Sequence, residues 1–177
     1  MGKMRVIGGE FRSRRLKTLP GLSLRPTPDR LRQALFNVLG PRTEGAIFLD
    51  AYAGSGAVGI EALSRGAARA IFLEKHAGAV RVIRENLASL GVEDRAVVVH
   101  SAAVPAITRY EADIYFLDPP YESKEEYQAA LSLLDARPAL VLAQHANRFE
   151  LAEDYGRLKR MRVLAHGDNA ISFFTVV

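Results

Sequence analysis

The sequence predicts an α/β protein: a mostly parallel, buried sheet covered by helices on both faces, with an antiparallel hairpin at its C-terminal end and a small β-hairpin arm at its start. Three observations carry this. Between Ala46 and Ala143, short continuous apolar runs alternate with longer segments of helical period, the pattern of strands buried on both faces and joined by crossover helices. A glycine-rich turn follows the first of those runs and opens the next helical segment. The last two apolar stretches, Met161 to Ala165 and Ala170 to Val177, flank His166-Gly167-Asp168-Asn169, a turn-forming tetrad, so they are expected to pair antiparallel.

Residues 1–24 alternate short apolar and basic stretches around Gly8-Gly9, as in Met4-Arg5-Val6-Ile7 and Arg14-Arg15-Leu16-Lys17-Thr18-Leu19, and read as a ribbon closed by Pro20-Gly21. A two-stranded ribbon is marginal in water, so this arm is expected to dock on, or project from, one main domain over residues 25–177. The first helix starts at Arg25-Pro26-Thr27-Pro28: Thr27 can cap it and Pro28 suits its first turn. Leu31, Ala34, Leu35, Val38 and Leu39 form its apolar stripe, Arg30, Arg32, Gln33 and Asn37 its other face, and Gly40-Pro41 ends it. Strands follow at 46–50, 70–74, 96–100, 114–117 and 139–143, with helices near 57–66, 77–90, 102–108 and 124–135 between them. On the 77–90 helix the core side is Val80, Ile83 and Leu87, and Arg81, Arg84 and Glu85 face solvent.

The turn after the first strand reads Asp50-Ala51-Tyr52-Ala53-Gly54-Ser55-Gly56-Ala57-Val58-Gly59. Its glycines have G-x-G-x-x-G spacing, which lets backbone pass close to a ligand and lets helix pack on strand. Glu74 lies 20 residues after Gly54, at the end of the next apolar strand, where a carboxylate can accept both hydroxyls of a ribose. Together they point to an adenosine-containing cofactor. Asp50 narrows the choice, because an acid at the preceding strand end suits an amine-bearing or cationic ligand, such as the amino-acid part of S-adenosylmethionine, better than a diphosphate.

The fourth strand runs into Asp118-Pro119-Pro120-Tyr121. Two prolines take the chain out of the ladder and leave carbonyls free to face a ligand. Asp118 and the Pro119 carbonyl can both accept hydrogen bonds from one exocyclic amino group, while Tyr121 offers a flat face for a base. The lone pair of such an amine is delocalised into its ring. Fixed acceptors can turn it out of conjugation and stabilise the charge that develops as it attacks a sulfonium methyl.

Composition removes other chemistries. With no cysteine among 177 residues, disulfides, cysteine-ligated zinc, iron–sulfur centres and thiolate nucleophiles are excluded, as is cysteine-dependent C5 methylation. The four histidines lack metal-ligand spacing, so no metal is expected, and Ser55 has no evident His–Asp relay. No apolar run has the length of a signal peptide or membrane span, so the chain is expected to be soluble, cytoplasmic and free of membranes, and its single-domain length suits a monomer. Residues 1–42 carry ten basic and two acidic groups, a local +8 in a chain whose total is +4. A basic N-terminal segment on an acidic body fits a polyanion, with RNA favoured over duplex DNA because an unpaired base is cheaper to extrude.

The segments Asp50 to Gly66 and Asp118-Pro119-Pro120-Tyr121, with the upstream Leu24-Arg25-Pro26-Thr27-Pro28-Asp29-Arg30-Leu31-Arg32, resemble the RsmD-type bacterial 16S rRNA guanine-N2 methyltransferases. Arg5-Val6-Ile7-Gly8-Gly9 and Arg12-Ser13-Arg14-Arg15-Leu16 are similar to that family's basic arm, so the resemblance spans nearly the whole chain. It implies a seven-stranded, Rossmann-like class I methyltransferase fold, S-adenosylmethionine as donor, and transfer to N2 of one guanine of 16S rRNA within a 30S particle or assembly intermediate. It also implies that Asp50, Tyr52, Gly54, Ser55 and Gly56 surround the methionine part of the donor, with Glu74 and Lys75 at its ribose. Thr27 and Arg30 would close over it, and Asp118, Pro119 and Tyr121 would hold the flipped base. His100-Ser101-Ala102-Ala103 lacks the Asn or Asp expected near adenine, so Ser101 or a backbone amide at Ala102 would substitute. The fifth strand ends Ala143-Gln144-His145 where an acid is expected, and no role follows for it. Arg5, Arg12, Arg14, Arg15, Lys17 and Arg25 would grip RNA. The alternatives are a DNA or other RNA adenine-N6 methyltransferase, a non-catalytic rRNA-binding assembly factor, and a nucleotide-dependent oxidoreductase, which would leave the Asp-Pro-Pro-Tyr segment unexplained.

Overall fold

The computed structural model describes residues 4–21, 26–120 and 123–177, so Arg25 and Tyr121 lie outside the described residues. The four central parallel strands are β1 (Ile47–Asp50), β2 (Arg69–Glu74), β3 (Ala96–His100) and β4 (Ile114–Leu117), joined by β5 (Leu140–Ala146). The long antiparallel pair is β7 (Leu158–His166) and β8 (Asn169–Val176). One sheet results, in the order β3-β2-β1-β4-β5-β8-β7-β6. It has eight strands where seven are expected. The extra one, β6, is only Asp154–Tyr155, pairing with Leu158 and Lys159 at the sheet edge, too short for any apolar period to announce it.

The pleat sorts the core into two layers. Phe48, Phe72 and Phe116 point to the face covered by α1 (Asp29–Leu39), α2 (Ala57–Ser64) and α3 (Ala77–Leu90). Leu49, Leu73, Tyr115 and Leu117 point to the other face, against the short α4 (Ala103–Ala106) and α5 (Lys124–Leu133). The helix expected over 102–108 is thus shorter, tightening into a 3-10 turn over Ile107–Arg109. β5 runs to Ala146, three residues past its expected end, because the antiparallel partner β8 continues the ladder from Ala143 to Ala146.

Two expectations at the N-terminal side are corrected. Thr27 does not cap α1. Pro28 stands at the cap position with no side-chain bond, and the Thr27 hydroxyl donates to Gln144 Oε1 at 2.7 Å, at the end of β5. The arm turns back over Gly9 to Ser13, not at Pro20-Gly21, and among the described residues holds a single antiparallel bridge, Arg5 to Arg15. It lies on the body, with Val6, Phe11 and Leu16 buried against α2 and α3.

That docking uses buried charge. Glu61 on α2 is fully buried and accepts from the Ile7 and Gly8 amides, both at 2.9 Å, and from Arg65 Nε at 2.8 Å. Arg32, expected on the polar face of α1, is fully buried instead: its guanidinium donates to the Arg5 carbonyl and to Asp29, with Glu61 3.7 Å away. Burial pushes the Arg32 pKa down while Glu61 and Asp29 oppose the shift. Helical periodicity misplaces Arg32 because its partners come from the arm, outside the helix's own pattern.

Candidate active site

β1 and β2 end in, and β4 runs out into, closely similar triplets: Phe48-Leu49-Asp50, Phe72-Leu73-Glu74 and Phe116-Leu117-Asp118, the last residue one beyond its strand. In the parallel register Asp50 lies opposite Phe72 on one side and Phe116 on the other. Period-two alternation therefore sets all three acids on the face of the three phenylalanines, toward the N-terminus of α2, with Glu74 and Asp118 one pleat further along. This repeat is the signal that motif reading misses, since it finds each acid separately.

Two of the acids are held by backbone. Asp50, 1% exposed, accepts from the Gly59 amide at 3.0 Å. Glu74 accepts from the Gly54 amide at 2.9 Å and the His76 amide at 2.8 Å, one on each oxygen, which leaves lone pairs for two further donors such as vicinal hydroxyls. Asp118 has no hydrogen-bond or ion-pair partner among the described residues. Burial pushes its carboxyl up to about 7, with the Asp50 charge adding to the shift. Asp50 is also pushed up to about 7, by burial first and by Glu74, against the Gly59 bond that lowers it.

The glycine turn joins these acids. Gly54 and Gly56 take left-handed φ values of 58° and 85°; a Cβ at Gly54 would point into open space, whereas one at Gly56 would press on Ile83 at 3.3 Å and on the Phe72 ring at 3.4 Å. Gly59 is required by packing, because a Cβ there would collide with the Phe72 ring. The Tyr52 hydroxyl donates to Glu126 in the first turn of α5. Burial and Glu126 both push the Tyr52 pKa upward, keeping it a donor. The Ser101 amide donates to the Glu74 carbonyl at 3.0 Å, Lys75 is exposed with its carbonyl bonded to His100, and Ala102 is the cap of α4, so all three border the β2 end. Pro119 is buried. Arg30 is exposed on the first turn of α1, without a bond to any of the acids among the described residues.

Three residues at the site escape sequence reading. Asn86, 2% exposed on α3, accepts from the Lys17 amide at 2.8 Å and donates to the carbonyls of Lys17 at 3.0 Å and Ser55 at 3.1 Å. It ties the arm to the glycine turn. Gln144 receives the Thr27 hydroxyl through its side chain and the Tyr127 hydroxyl through its carbonyl, and Glu126 receives Tyr52. No spacing rule flags residues whose partners lie 17 to 117 positions away.

An amine- or sulfonium-bearing nucleoside fits this arrangement: a carboxylate with lone pairs left for a ribose, a buried carboxylate for a cation, and open space over Gly54 next to Glu74. Comparison with known proteins decides the family. The family profile described as "Conserved hypothetical protein 95" matches residues 4–175. The chain is 43% identical over 122 residues to "Ribosomal RNA small subunit methyltransferase D" of Escherichia coli, covering 68% of this chain and 61% of that protein. The chain belongs to the RsmD family. Another relative, named "Putative rRNA methyltransferase YlbH" in Bacillus subtilis, is 35% identical over 181 residues, covering 97% of this chain and 98% of that one. Among solved structures, "Putative methyltransferase yhhF" of Escherichia coli superposes with a TM-score of 0.86 at 31% identity, covering 99% and 98% of the two chains. An RNA methyltransferase of Salinibacter ruber in complex with S-adenosyl-L-homocysteine shares the fold, with a TM-score of 0.69 at 18% identity over 86% of this chain and 94% of that one. The class I methyltransferase fold of the RsmD family accounts for the strand order, in which the antiparallel β8 inserts between β5 and β7.

Proposed function

We propose that this chain is an S-adenosylmethionine-dependent rRNA methyltransferase acting on the exocyclic N2 of a guanine in 16S rRNA, presented in a 30S particle or assembly intermediate. One observation carries the reading: of three equivalent Phe-Leu-acid strand ends, the third presents a carboxylate with no partner among the described residues, beside two that backbone amides already hold. The names of the RsmD relatives support rRNA as the substrate, and the complexed fold relative supports the donor.

Glu74 would hold the donor's ribose and Asp50 its amino-acid amine, with Gly54, Ser55 and Gly56 against the chain between them. Ser101 and Ala102 would border the adenine. Bound there, the donor supplies an electrophilic methyl on a sulfonium. The residues of this chain do the rest. Asp118 and the Pro119 carbonyl accept from the two N–H groups of the base's amine and turn its lone pair toward the donor, and Tyr121 stacks on the ring. As the C–N bond forms and the C–S bond breaks, the nitrogen becomes cationic, and Asp118 is the base positioned to take its surplus proton.

The test is methylation of 30S subunits and naked 16S rRNA from a deletion strain, using labelled donor and nucleoside analysis. N2-methylguanosine is expected. N6-methyladenosine would replace the guanine reading with the adenine one, and absence of label in both substrates would leave a non-catalytic binding factor.

A further inference from the structure

The arm encloses a cleft of about 490 Å³ against the body, lined by Arg5, Arg12, Gln33 and Arg65 and by the backbone from Val6 to Gly9. No carboxylate lines it. Arg65 caps the C-terminal end of α2 and is held rigidly: Nε donates to Glu61 at 2.8 Å, one terminal nitrogen donates to Gln33 Oε1 at 3.0 Å, and the guanidinium sits 5.4 Å from the centre of the Phe36 ring. The glycine at position 8 is the space it occupies, since a Cβ there would meet the guanidinium at 2.6 Å. The Arg12 side chain has no hydrogen bond or ion pair among the described residues, and the Arg5 side chain has only a 3.7 Å approach to Asp29.

The other basic residues of the arm differ. Arg14 donates to the Ser89 carbonyl at 2.8 Å and Lys17 pairs with Glu85 at 3.2 Å, so both are spent on α3. Of the arm's side-chain cations without a partner among the described residues, Arg12 lines the cleft, beside Arg5 and Arg65, whereas the exposed Arg15 does not. Resting on the rRNA reading above, we infer that this cleft is a phosphate subsite, in which Arg65 of the body and Arg12 and Arg5 of the arm bind one backbone phosphate of the RNA substrate. A fixed guanidinium flanked by two less constrained ones suits a tetrahedral oxyanion, and a cleft without base-sized apolar walls reads backbone, not sequence. α2 separates it from the glycine turn. Its eight residues span about 12 Å, so the phosphate held belongs to a nucleotide flanking the target and sets the direction in which the RNA leaves the site.

Gln33→Glu tests this without dismantling the protein, because the new carboxylate keeps the acceptor that Arg65 uses while adding a negative charge to the cleft. Binding of 16S rRNA and of poly(U) is measured by filter retention across a salt series, with S-adenosylmethionine affinity measured in parallel. Affinity for both RNAs should fall about tenfold at 0.1 M salt, the slope of log K against log salt should shrink by about 1, and cofactor affinity should stay unchanged. Arg12→Glu should reproduce the loss and Arg14→Glu should not. An unchanged slope in Gln33→Glu, or a loss confined to 16S rRNA, overturns the phosphate assignment while leaving the methyltransferase reading intact. Failure of the unmodified protein to bind either RNA would overturn the phosphate subsite, while the methyltransferase reading stands or falls on the labelled transfer to 30S subunits.

Discussion

The ends of β2 and β4 share a pattern and finish in opposite conditions. Glu74 receives two backbone amides, while Asp118 receives none among the described residues. The difference comes from the residues just beyond each strand. After Glu74 the chain turns directly toward α3, the His76 amide folds back, and the glycine turn supplies a second donor. After Asp118 two prolines remove the nearest donors and carry the backbone away. Glu74 is thus fixed in place by backbone, whereas the carboxylate of Asp118 is unclaimed among the described residues.

Replacing Asp118 gives the largest expected effect. Asp118→Asn should cut methyl transfer by ~100-fold or more, because the amide keeps one acceptor oxygen but loses the charge and the basicity proposed to serve the amine, while titration calorimetry should find cofactor affinity within a few fold. Loss of binding together with activity would erase the contrast between the two strand ends. The reverse applies to Glu74→Gln. Cofactor affinity should drop by about 10- to 100-fold, through loss of charge-assisted bonds to ribose and repulsion between the new amide and a backbone N–H, with kcat at saturating cofactor far less affected.

Asn86→Ala should have an intermediate outcome. It strips three buried hydrogen bonds and should lower unfolding stability by about 2 kcal/mol in chemical denaturation. It should also weaken cofactor binding by a few fold, since the Ser55 carbonyl loses its anchor. Equal cofactor affinity would show that the glycine turn holds its shape without the arm.

The smallest effect concerns pH. Asp50 and Asp118 are pushed from 3.8 up to about 7, so the folded protein holds protons that the unfolded chain releases near pH 4. Folding stability from these groups is greatest in acid and is lost as pH rises through about 7. The cofactor-free protein should melt lower at pH 8 than at pH 6. Asp118→Asn should melt about 3 °C higher than the parent at pH 8, with the gap narrowing at pH 5. A cationic ligand should restore more stability at pH 8 than at pH 6. A gap independent of pH would mean that Asp118 is ionised throughout.

The parts legible in the sequence are those with local causes. Apolar runs and helical stripes place the central strands, α1, α3 and α5 within a few residues, and glycine spacing with Asp50, Glu74 and Asp118 marks out the candidate site. The features that escape are set by distant partners. Arg32 looks solvated until the Arg5 carbonyl is brought to it, Thr27 looks like a cap until Gln144 offers a better acceptor, and Asn86 looks like one more polar residue on an exposed helix. The turn of the arm is misplaced because Pro20-Gly21 carries the stronger local signal, whereas the observed reversal is held by Ser64 and Glu61 of α2.

Arg32 and Glu61 have a consequence for how such a protein can be rearranged. Their charges are enclosed by backbone atoms of residues 5, 7 and 8, so the arm serves as the missing wall of an ionic chamber. Cutting it away would open that chamber to water on one side only, and transplanting it onto another methyltransferase would carry amides that seek a buried carboxylate the recipient lacks. The arm is inherited as half of a lock. A graft succeeds when Arg32 and Glu61 travel with it.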